Sequence, residues 1–462
     1  MFIKSIKIKN FRLFSPEKYF EAKDVNTPDN TNEGSGLNVF VGENGSGKTA
    51  LLDALSLPLL EYKTESFSIN DFNSLENDVE IELYAKDNFD VAKTITGSFK
   101  AKGFSFKANI RTRDNKAYLS SIVISDRKFI PADGEKVKEE SSDLRMSVNN
   151  PWRSKRFDEN DILFLDKNRV FQIRCGTYNT TRFDRLMEDF SFQYLKKSKV
   201  ENLNDELDVK IKKDKVENNF LSEAVKKFQE ISGSQVRLDF LDNHQPFKNA
   251  FFSTKKDNNQ QILLDDLGSG YEMIFALLYS FYLARQSGKQ LIILIDEPEL
   301  HLHPSLQEKF VKFLLEFSKE TQIILTSHSP LLVKQLSYND KVKISIISNN
   351  GSDISNIKKR VLPYISANET NYLAFNLATE EYHNELFEEL KFINGDDKRI
   401  KEFDNDFFVG LKKETKNSPY MGVANQVSAH TFIRNQIHHQ KDNGKTEYGD
   451  LKASIEKMRS FF

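Results

Sequence analysis

The amino-acid sequence predicts an α/β fold with a mixed sheet, an antiparallel β subdomain, a helical insertion and a C-terminal helical lobe. An apolar strand runs into a Gly-rich loop and a helix near Lys48, short alternating strands follow over 78–125, and helices alternate with strands after residue 262. Such alternation is typical of parallel sheets with crossover helices. At roughly 150 residues per domain, the length suits two or three domains.

The first half of the expected α/β unit occupies residues 1–130. Phe2–Lys9 and Leu37–Val41 have the apolar and β-branched composition of strands. A helix is expected from about Lys48, with apolar residues at positions 51, 52, 54 and 55. The segments VEIELYA and YLSSIVIS, separated by polar clusters, indicate antiparallel strands. A second sheet should therefore lie beside the first.

The remaining chain divides into three parts of different character. Residues 131–260 are charge-dense, above all at 196–219, and are interpreted as a mainly helical insertion with solvated faces, at most a short arm. Residues 261–350 should supply the second half of the α/β unit. Residues 351–462, rich in Glu, Lys, Phe and Leu, are expected to form a separate helical lobe that docks a partner.

Composition and charge exclude several classes of protein. The 66 Lys and Arg balance 68 Asp and Glu, so a nucleic-acid surface would have to be a local patch. No run of 18 apolar residues is present, which argues against a membrane-spanning helix. A single cysteine, Cys175, excludes an intrachain disulfide framework and suits a reducing compartment. We therefore expect a soluble cytoplasmic protein without membrane contact.

The segment GENGSGKT at 42–49 matches the phosphate-binding loop G-x-x-x-x-G-K-[ST] and lies between a predicted strand and a predicted helix. Its glycines allow backbone N–H groups to turn toward phosphate oxygens, and the helix N-terminus adds partial positive charge. Lys48 should reach the β- and γ-phosphates, and the Thr49 hydroxyl should bind Mg²⁺. The pattern predicts ATP and Mg²⁺ as cofactors, with nucleotide contacts from Asn44, Gly45, Ser46, Gly47, Lys48 and Thr49.

Two acids follow the apolar strand Leu291–Ile295. Asp296 and Glu297 would be costly to bury at a strand end without a cation, which favours a site for metal and phosphate over an ordinary polar turn. Asp296 should hold the Mg²⁺, and Glu297 should polarise the attacking water. The next strand ends at His328, which is expected near the γ-phosphate, although a lone histidine there is more often structural.

Four blocks in order, IKIKNFRLF, GENGSGKT, DLGSGYE and LIDEPELHLHP, are followed by TSHSP. Together they resemble the ATP-binding-cassette (ABC) ATPases, in the branch that includes the RecF, SMC and OLD proteins. The resemblance covers about residues 1–130 and 260–350. It implies an ABC-ATPase head that hydrolyses ATP between two copies, so that catalysis requires a dimer.

The resemblance also implies roles for several further residues. In this family the segment matching 267–272 opens a helix and caps the γ-phosphate bound to the other subunit, which assigns Ser269 and Gly270 to the nucleotide site. Gly268 departs from the serine that is common there. Arg12 matches a residue that lies near the nucleotide in relatives, although Phe11 beside it suits core packing equally. Gln172 is one candidate for the family's glutamine-containing loop.

The C-terminal lobe contains one short motif. Arg434 and His439 are similar to the R-N-x-x-x-H motif of HEPN ribonucleases, but the spacing is common by chance. A packed or partner-binding helix is the favoured interpretation, because Arg434 and His438 are four residues apart and share a helix face. No array of strands for a TOPRIM nuclease follows residue 348.

The overall pattern resembles the Septu-type ATPases of bacterial anti-phage defence, whose nuclease is a separate HNH protein. This implies an ATPase subunit that controls an HNH partner acting on DNA through nucleotide-dependent head dimerisation, with the size of the oligomer beyond a head dimer left open. Two alternatives remain open at this stage. One is a self-contained HEPN-like ribonuclease gated by the ATPase, and the other is a RecF-like DNA-repair ATPase.

Overall fold

The structure is a computed structural model that describes most of the chain. The described residues are 1–64, 66–93, 97–112, 120–138, 141–146, 162–165, 173–175, 178–180, 220–233, 235–239, 251–255, 261–263, 269–287, 290–348, 353–356, 360–409, 415–418 and 425–462. They divide into two compact units, Met1–Ser355 and Asn356–Phe462.

The first unit contains strands and helices in the alternation that the sequence predicted. Its strands are β1 Ile3–Lys9, β2 Phe20–Ala22, β3 Leu37–Val41, β4 Val79–Ala92, β5 Ser98–Thr112, β6 Ser120–Pro131, β7 Ile162–Leu165, β8 Ile173–Cys175, β9 Tyr178–Thr180, β10 Gln235–Asp239, β11 Phe251–Lys255, β12 Gln261–Leu263, β13 Ile292–Asp296, β14 Gln322–Ser327, β15 Lys343–Ser348 and β16 Asp353–Asn356. Its α-helices are α1 Lys48–Leu59, α2 Glu61–Thr64, α3 Phe220–Ser232, α4 Ser269–Ser287, α5 Pro304–Phe317 and α6 Pro330–Ser337. A 3₁₀ turn, Pro298–His301, follows β13.

A six-stranded sheet forms the centre of the first unit, in the order β16-β15-β3-β14-β13-β7. The pairs β15–β3, β3–β14, β14–β13 and β13–β7 are all parallel. Strands β13 and β14 are buried along their whole length, and their centres are the apolar runs 292–295 and 323–325. Because parallel strands end at the same edge, the loops after β3, β14 and β13 meet there.

The five-stranded sheet β2-β1-β4-β5-β6 is antiparallel throughout and confirms the predicted second sheet. Residues alternate along β4: Val79, Ile81 and Leu83 are buried, whereas Glu80 and Glu82 are partly exposed. Such alternation with period two turns one sheet face toward a core. Helix α1 contributes buried residues to the same core, including Leu51 and Leu55.

The described part of residues 131–260, less than half of that stretch, is mixed in secondary structure. It contains one long helix, α3, together with strands β7 to β11, and β7 adds to the edge of the central sheet. Strand β7 consists of four apolar residues that are buried and pair in parallel with β13. The charged run at 196–219 lies outside the residues that the structure describes.

The second unit has its own hydrophobic core. Its helices are α7 Ala367–Phe375, α8 Glu380–Gly395, α9 Ile400–Phe403, α10 Ala429–His438, α11 Gln440–Asn443 and α12 Tyr448–Arg459, with a π-helix at Asp404–Val409. An antiparallel hairpin, β17 Thr415–Ser418 with β18 Asn425–Ser428, joins them. Leu386, Phe387, Ile433 and Ile455 are all buried in this core. The sequence predicted the helices of this part of the chain but not the hairpin.

Among the helices that the structure describes, none has both the length and the apolar character of a membrane span.

Candidate nucleotide-hydrolysis site

The candidate site lies at the carboxyl edge of three adjacent parallel strands. Strand β14 lies between β3 and β13, with Ser327 opposite Val41 and Thr326 opposite Asp296. The loop after β3 contains the Gly-rich segment, β13 ends in the acid pair, and β14 leads into His328. The hydroxyl of Thr49 therefore comes within 3.3 Å of Asp296 Oδ1, although 247 positions separate them in sequence.

The loop at 42–47 requires glycine at particular positions. A Cβ on Gly42 would lie 2.3 Å from the carbonyl oxygen of Ile347, so no larger residue fits there. Gly47 precedes α1 with a left-handed φ of 103°, which a residue with a side chain adopts at a cost. The exposed tip at Asn44 and Gly45 leaves the start of α1 accessible from the strand edge.

Lys48 is buried beneath this loop and closes it. Its Nζ atom donates to the carbonyl oxygens of Gly42 and Glu43, each at 2.9 Å, and lies 3.3 Å from Ser46 Oγ. The ammonium group is thus held at the centre of the loop, where a phosphate oxygen can replace the weaker carbonyl acceptors. A lysine at this point supplies a positive charge to the nucleotide.

Asp296 has the chemistry of a magnesium ligand. Its Oδ1 atom accepts hydrogen bonds from Thr326 Oγ1 at 2.5 Å and Thr49 Oγ1 at 3.3 Å. Its Oδ2 atom is buried and has no hydrogen-bond partner among the described residues. Burial raises the pKa of this carboxyl group, because a buried carboxylate lacks the solvation it has in water. An unpartnered carboxylate oxygen beside a threonine hydroxyl fits Mg²⁺, a cation that prefers oxygen ligands.

The side chains of Glu297 and His328 contact each other at the same edge of the sheet. His328 Nε2 lies 2.9 Å from Glu297 Oε1, and the Glu297 side chain is 11% exposed. Glu297 has a left-handed backbone, with φ 45° and ψ 61°, which is uncommon for a residue with a side chain. Its N–H donates to Thr326 Oγ1 at 3.2 Å, so the strained residue is held from the neighbouring strand.

Arg12 lies in the same unit and is held by two acids. Its Nη1 atom contacts Asp53 Oδ2 at 2.6 Å and its Nε atom contacts Asp71 Oδ1 at 2.7 Å. Asp53 belongs to α1, one turn after Thr49, so Arg12 is tied to the helix that begins at the Gly-rich loop. Phe11 is almost completely buried, in agreement with the core-packing alternative.

Other predicted site residues are described only in part. Helix α4 begins at Ser269 with Gly270 buried in its first turn, so the segment opens a helix, as the family resemblance implies. Leu267, Gly268 and Gln172 lie outside the described residues.

In the C-terminal unit, Arg434 is engaged within its own fold. Its Nε and Nη2 atoms donate to Glu388 Oε1 at 3.1 and 3.0 Å, and its guanidinium group lies over the ring of Phe387. Helix α10 ends at His438, and burial followed by the charge of Arg434 lowers the pKa of that histidine. His439 is instead the capping residue after the helix. Arg434 thus lies close enough to His438 for its charge to act on that histidine, and a paired role of Arg434 and His439 stays a prediction.

Two residues of the site were missed by sequence reasoning. Thr326 bonds both acids of β13, and Glu299 accepts hydrogen bonds from the segment that contains His328. Both lie inside motifs already noted, TSHSP and ELHLHP. Their roles depend on which strands are neighbours, and no local sequence signal reveals this.

Several proteins are similar to this chain. An OLD nuclease of Thermus scotoductus is 25% identical over 347 residues, which are 71% of this chain and 59% of that protein. The "Retron Vc95 probable ATPase" of Vibrio cholerae is 22% identical over 73% of each chain. The Septu protein PtuA of Bacillus thuringiensis is 29% identical over 100 residues, 19% of this chain and 25% of that protein. The chain thus spans about three-fifths of the OLD nuclease and matches PtuA over a short stretch only.

A solved structure of an SMC head, bound to the C-terminal winged-helix domain of ScpA, covers 77% of this chain and 97% of its own, with a TM-score of 0.46 and 15% identity. The expected resemblance to ATPases of the OLD and Septu type is confirmed by the sequence matches. A family model matches residues 37–334, well over half of the chain, so the chain belongs to the ATPase family described as "AAA domain, putative AbiEii toxin, Type IV TA system".

Proposed function

We propose that this chain is the ATP-hydrolysing subunit of a bacterial anti-phage defence complex, converting ATP and water to ADP and phosphate. The observation that carries the proposal is the meeting of Lys48, Asp296 and the Glu297–His328 pair at one edge of the central sheet. The relatives named as an OLD nuclease, a retron ATPase and a Septu protein support the setting in defence.

Each side chain has a defined part in the proposed hydrolysis. Lys48 exchanges its loop carbonyls for the terminal phosphates of ATP. Thr49 and Asp296 hold Mg²⁺, which when bound neutralises phosphate charge. Glu297 accepts a proton from the attacking water, and His328 holds that carboxylate beside the γ-phosphate.

The complex is proposed to contain a dimer of heads and a separate nuclease. Ser269, at the start of α4, would cap the γ-phosphate of the partner copy, since a helix N-terminus binds anions well. The partial match to PtuA supports an HNH nuclease partner, and DNA would be contacted through the complex. The formal net charge of −2 supports a nuclease on a separate chain, because chains that bind DNA alone more often carry a basic excess.

The hydrolytic role is tested by Glu297→Gln. The substitution keeps the shape of the side chain and removes its basicity, so ATP should still bind while turnover falls by about a hundredfold or more. Calorimetry gives the affinity and phosphate release gives the rate, with Lys48→Ala as the matched variant that should lose affinity instead. Wild-type turnover in Glu297→Gln would refute the assignment of the base.

The partner is tested separately by affinity purification of the native complex. Recovery of an HNH protein encoded beside this chain is expected. Cleavage of RNA by the purified chain in EDTA would instead support the HEPN-like alternative, and neither result depends on the ATPase assay.

A further inference from the structure

Glu299 lies in the 3₁₀ turn Pro298–His301, two residues after the proposed base. Its Oε2 atom is buried and has no hydrogen-bond partner among the described residues. Burial raises the pKa of this carboxyl group, because the buried carboxylate lacks the solvation that it has in water. A buried carboxylate is costly unless its contacts compensate for the lost solvation, so the partners of its other oxygen matter.

That other oxygen, Glu299 Oε1, receives three hydrogen bonds from consecutive residues after β14. The donors are Ser327 Oγ at 2.9 Å, the His328 N–H at 2.5 Å and the Ser329 N–H at 3.0 Å. Three hydrogen bonds from consecutive residues converge on one oxygen, so together they fix the path of the backbone. Glu299 therefore binds the turn after β13 to the segment after β14.

His328 is consequently held at two points by one short turn. Its backbone N–H is bound by Glu299, and its ring lies 2.9 Å from Glu297. Ser329, the next residue, caps α6 by accepting a hydrogen bond from the Leu332 N–H at 3.2 Å, so the segment is anchored on its far side as well. A rotation of the His328 backbone would separate the ring from Glu297.

We infer that Glu299 is a positioning residue that sets the contact between His328 and the proposed base, and so controls the chemical step without touching nucleotide. The inference rests on the proposed ATP hydrolysis. It predicts that Glu299 acts on the turnover rate rather than on ATP affinity, and only through His328.

The test is a double-mutant cycle with Glu299→Ala and His328→Ala in the full chain. Glu299→Ala should lower kcat by about tenfold or more and leave the calorimetric affinity for ATP within about threefold of wild type. The double variant should be no slower than His328→Ala alone, because residues that act as one unit are not additive. Independent, multiplicative losses, or wild-type turnover in Glu299→Ala, would overturn the inference.

Three further variants make the result specific. Glu299→Gln keeps an oxygen that accepts the same three hydrogen bonds and should retain most of the turnover, whereas Glu299→Asp is too short and should lose it. Glu308→Ala removes an exposed acid of α5 and should have no effect. If Glu299→Ala does not fold, Glu299→Asp takes its place in the cycle. A Gln variant as slow as the Asp variant would contradict positioning by hydrogen bonds.

A spectroscopic readout separates this inference from the proposed function. In protein labelled at histidine Cε1, the His328 signal is identified by its loss in His328→Ala and should shift in Glu299→Asp but not in Glu308→Ala. Absence of wild-type turnover together with this shift would refute ATP hydrolysis while supporting the positioning of His328. An unshifted signal would overturn the inference, whatever the turnover.

Discussion

At the scale of single residues, Thr326 links the two acids of the site. The side chain is completely buried, donates to Asp296 Oδ1 at 2.5 Å and accepts from the Glu297 N–H at 3.2 Å. One hydroxyl therefore orients the carboxylate proposed to bind metal and restrains the left-handed backbone of the proposed base. A methyl group in the same position would satisfy neither partner.

Thr326→Val tests this arrangement at nearly constant volume. Hydrogen bonds to charged groups contribute about 1.5–3 kcal/mol, so loss of the hydroxyl should lower kcat by about ten- to a hundredfold. Thr326→Ser keeps the hydroxyl and serves as the matched control, with turnover close to wild type. Phosphate release at saturating ATP measures both, and equal rates in the Val and Ser variants would contradict the role.

The residues that the sequence could identify are those whose spacing is local. Lys48 and Thr49 lie inside one contiguous motif, and Asp296 and Glu297 end one apolar strand, so their types and order were sufficient. Thr326 and Glu299 act across two strands that are neighbours only in space. The HEPN-like pairing of Arg434 and His439 stays a prediction, and helix α10 ends at His438, a boundary that the sequence does not mark.

At the scale of elements, three helices of the C-terminal unit meet around buried imidazoles. Ser454 on α12 contacts His383 Nε2 of α8 at 2.9 Å and His430 Nδ1 of α10 at 2.7 Å. His383 is completely buried, and its burial, with the nearby charges of His430 and Arg434, lowers its pKa to about 3. The packing of these helices therefore requires a neutral His383.

This requirement makes the C-terminal unit sensitive to acid. His383 binds a proton below about pH 6.5 in the unfolded chain but only near pH 3 in the folded one. The unfolded state thus holds more protons between these values, and the free energy of unfolding falls as pH falls through that window. From pH 7 to pH 5 the loss from this group is about 2 kcal/mol.

His383→Gln should remove this pH dependence, although it also lowers stability at pH 7. Hydrogen exchange of peptides from 356–462 measures the stability of the unit directly at both pH values. His439→Gln, immediately after α10, is the control and should keep the wild-type slope. An unchanged slope in His383→Gln would show that other groups cause the acid sensitivity.

Elements were predicted well where periodicity and buried apolar runs agree. Strands β3 and β13 and the start of helix α1 lie within one residue of their predicted bounds. The charge density of 131–260 indicates solvated helices, and the run at 196–219 on which that interpretation rests lies outside the described residues. Strand β7 is only four residues long, and it becomes a strand because β13 offers a buried edge to pair with.

At the scale of the whole molecule, the central sheet combines strands from distant parts of the chain. β3 and its loop come from the first 50 residues, whereas β13 and β14 come from residues 292–327. One chain thus supplies the Gly-rich loop, the proposed metal ligand and the proposed base. The proposed cap at Ser269 is the remaining part, and it would come from a second copy.

A composite site between two copies of the chain is tested by mixing two inactive variants. Lys48→Ala should fail to bind ATP but keep a normal cap, whereas Ser269→Arg should bind ATP but block the cap. Each variant alone should be inactive if the site is composite.

In a random mixture about half of the dimers are mixed, and each has one complete site, so about a quarter of the wild-type turnover should return. Sedimentation with ATP confirms that dimers form. A mixture as inactive as its components would mean that each copy completes its own site, and the proposed control of a nuclease by head dimerisation would then lose its structural basis.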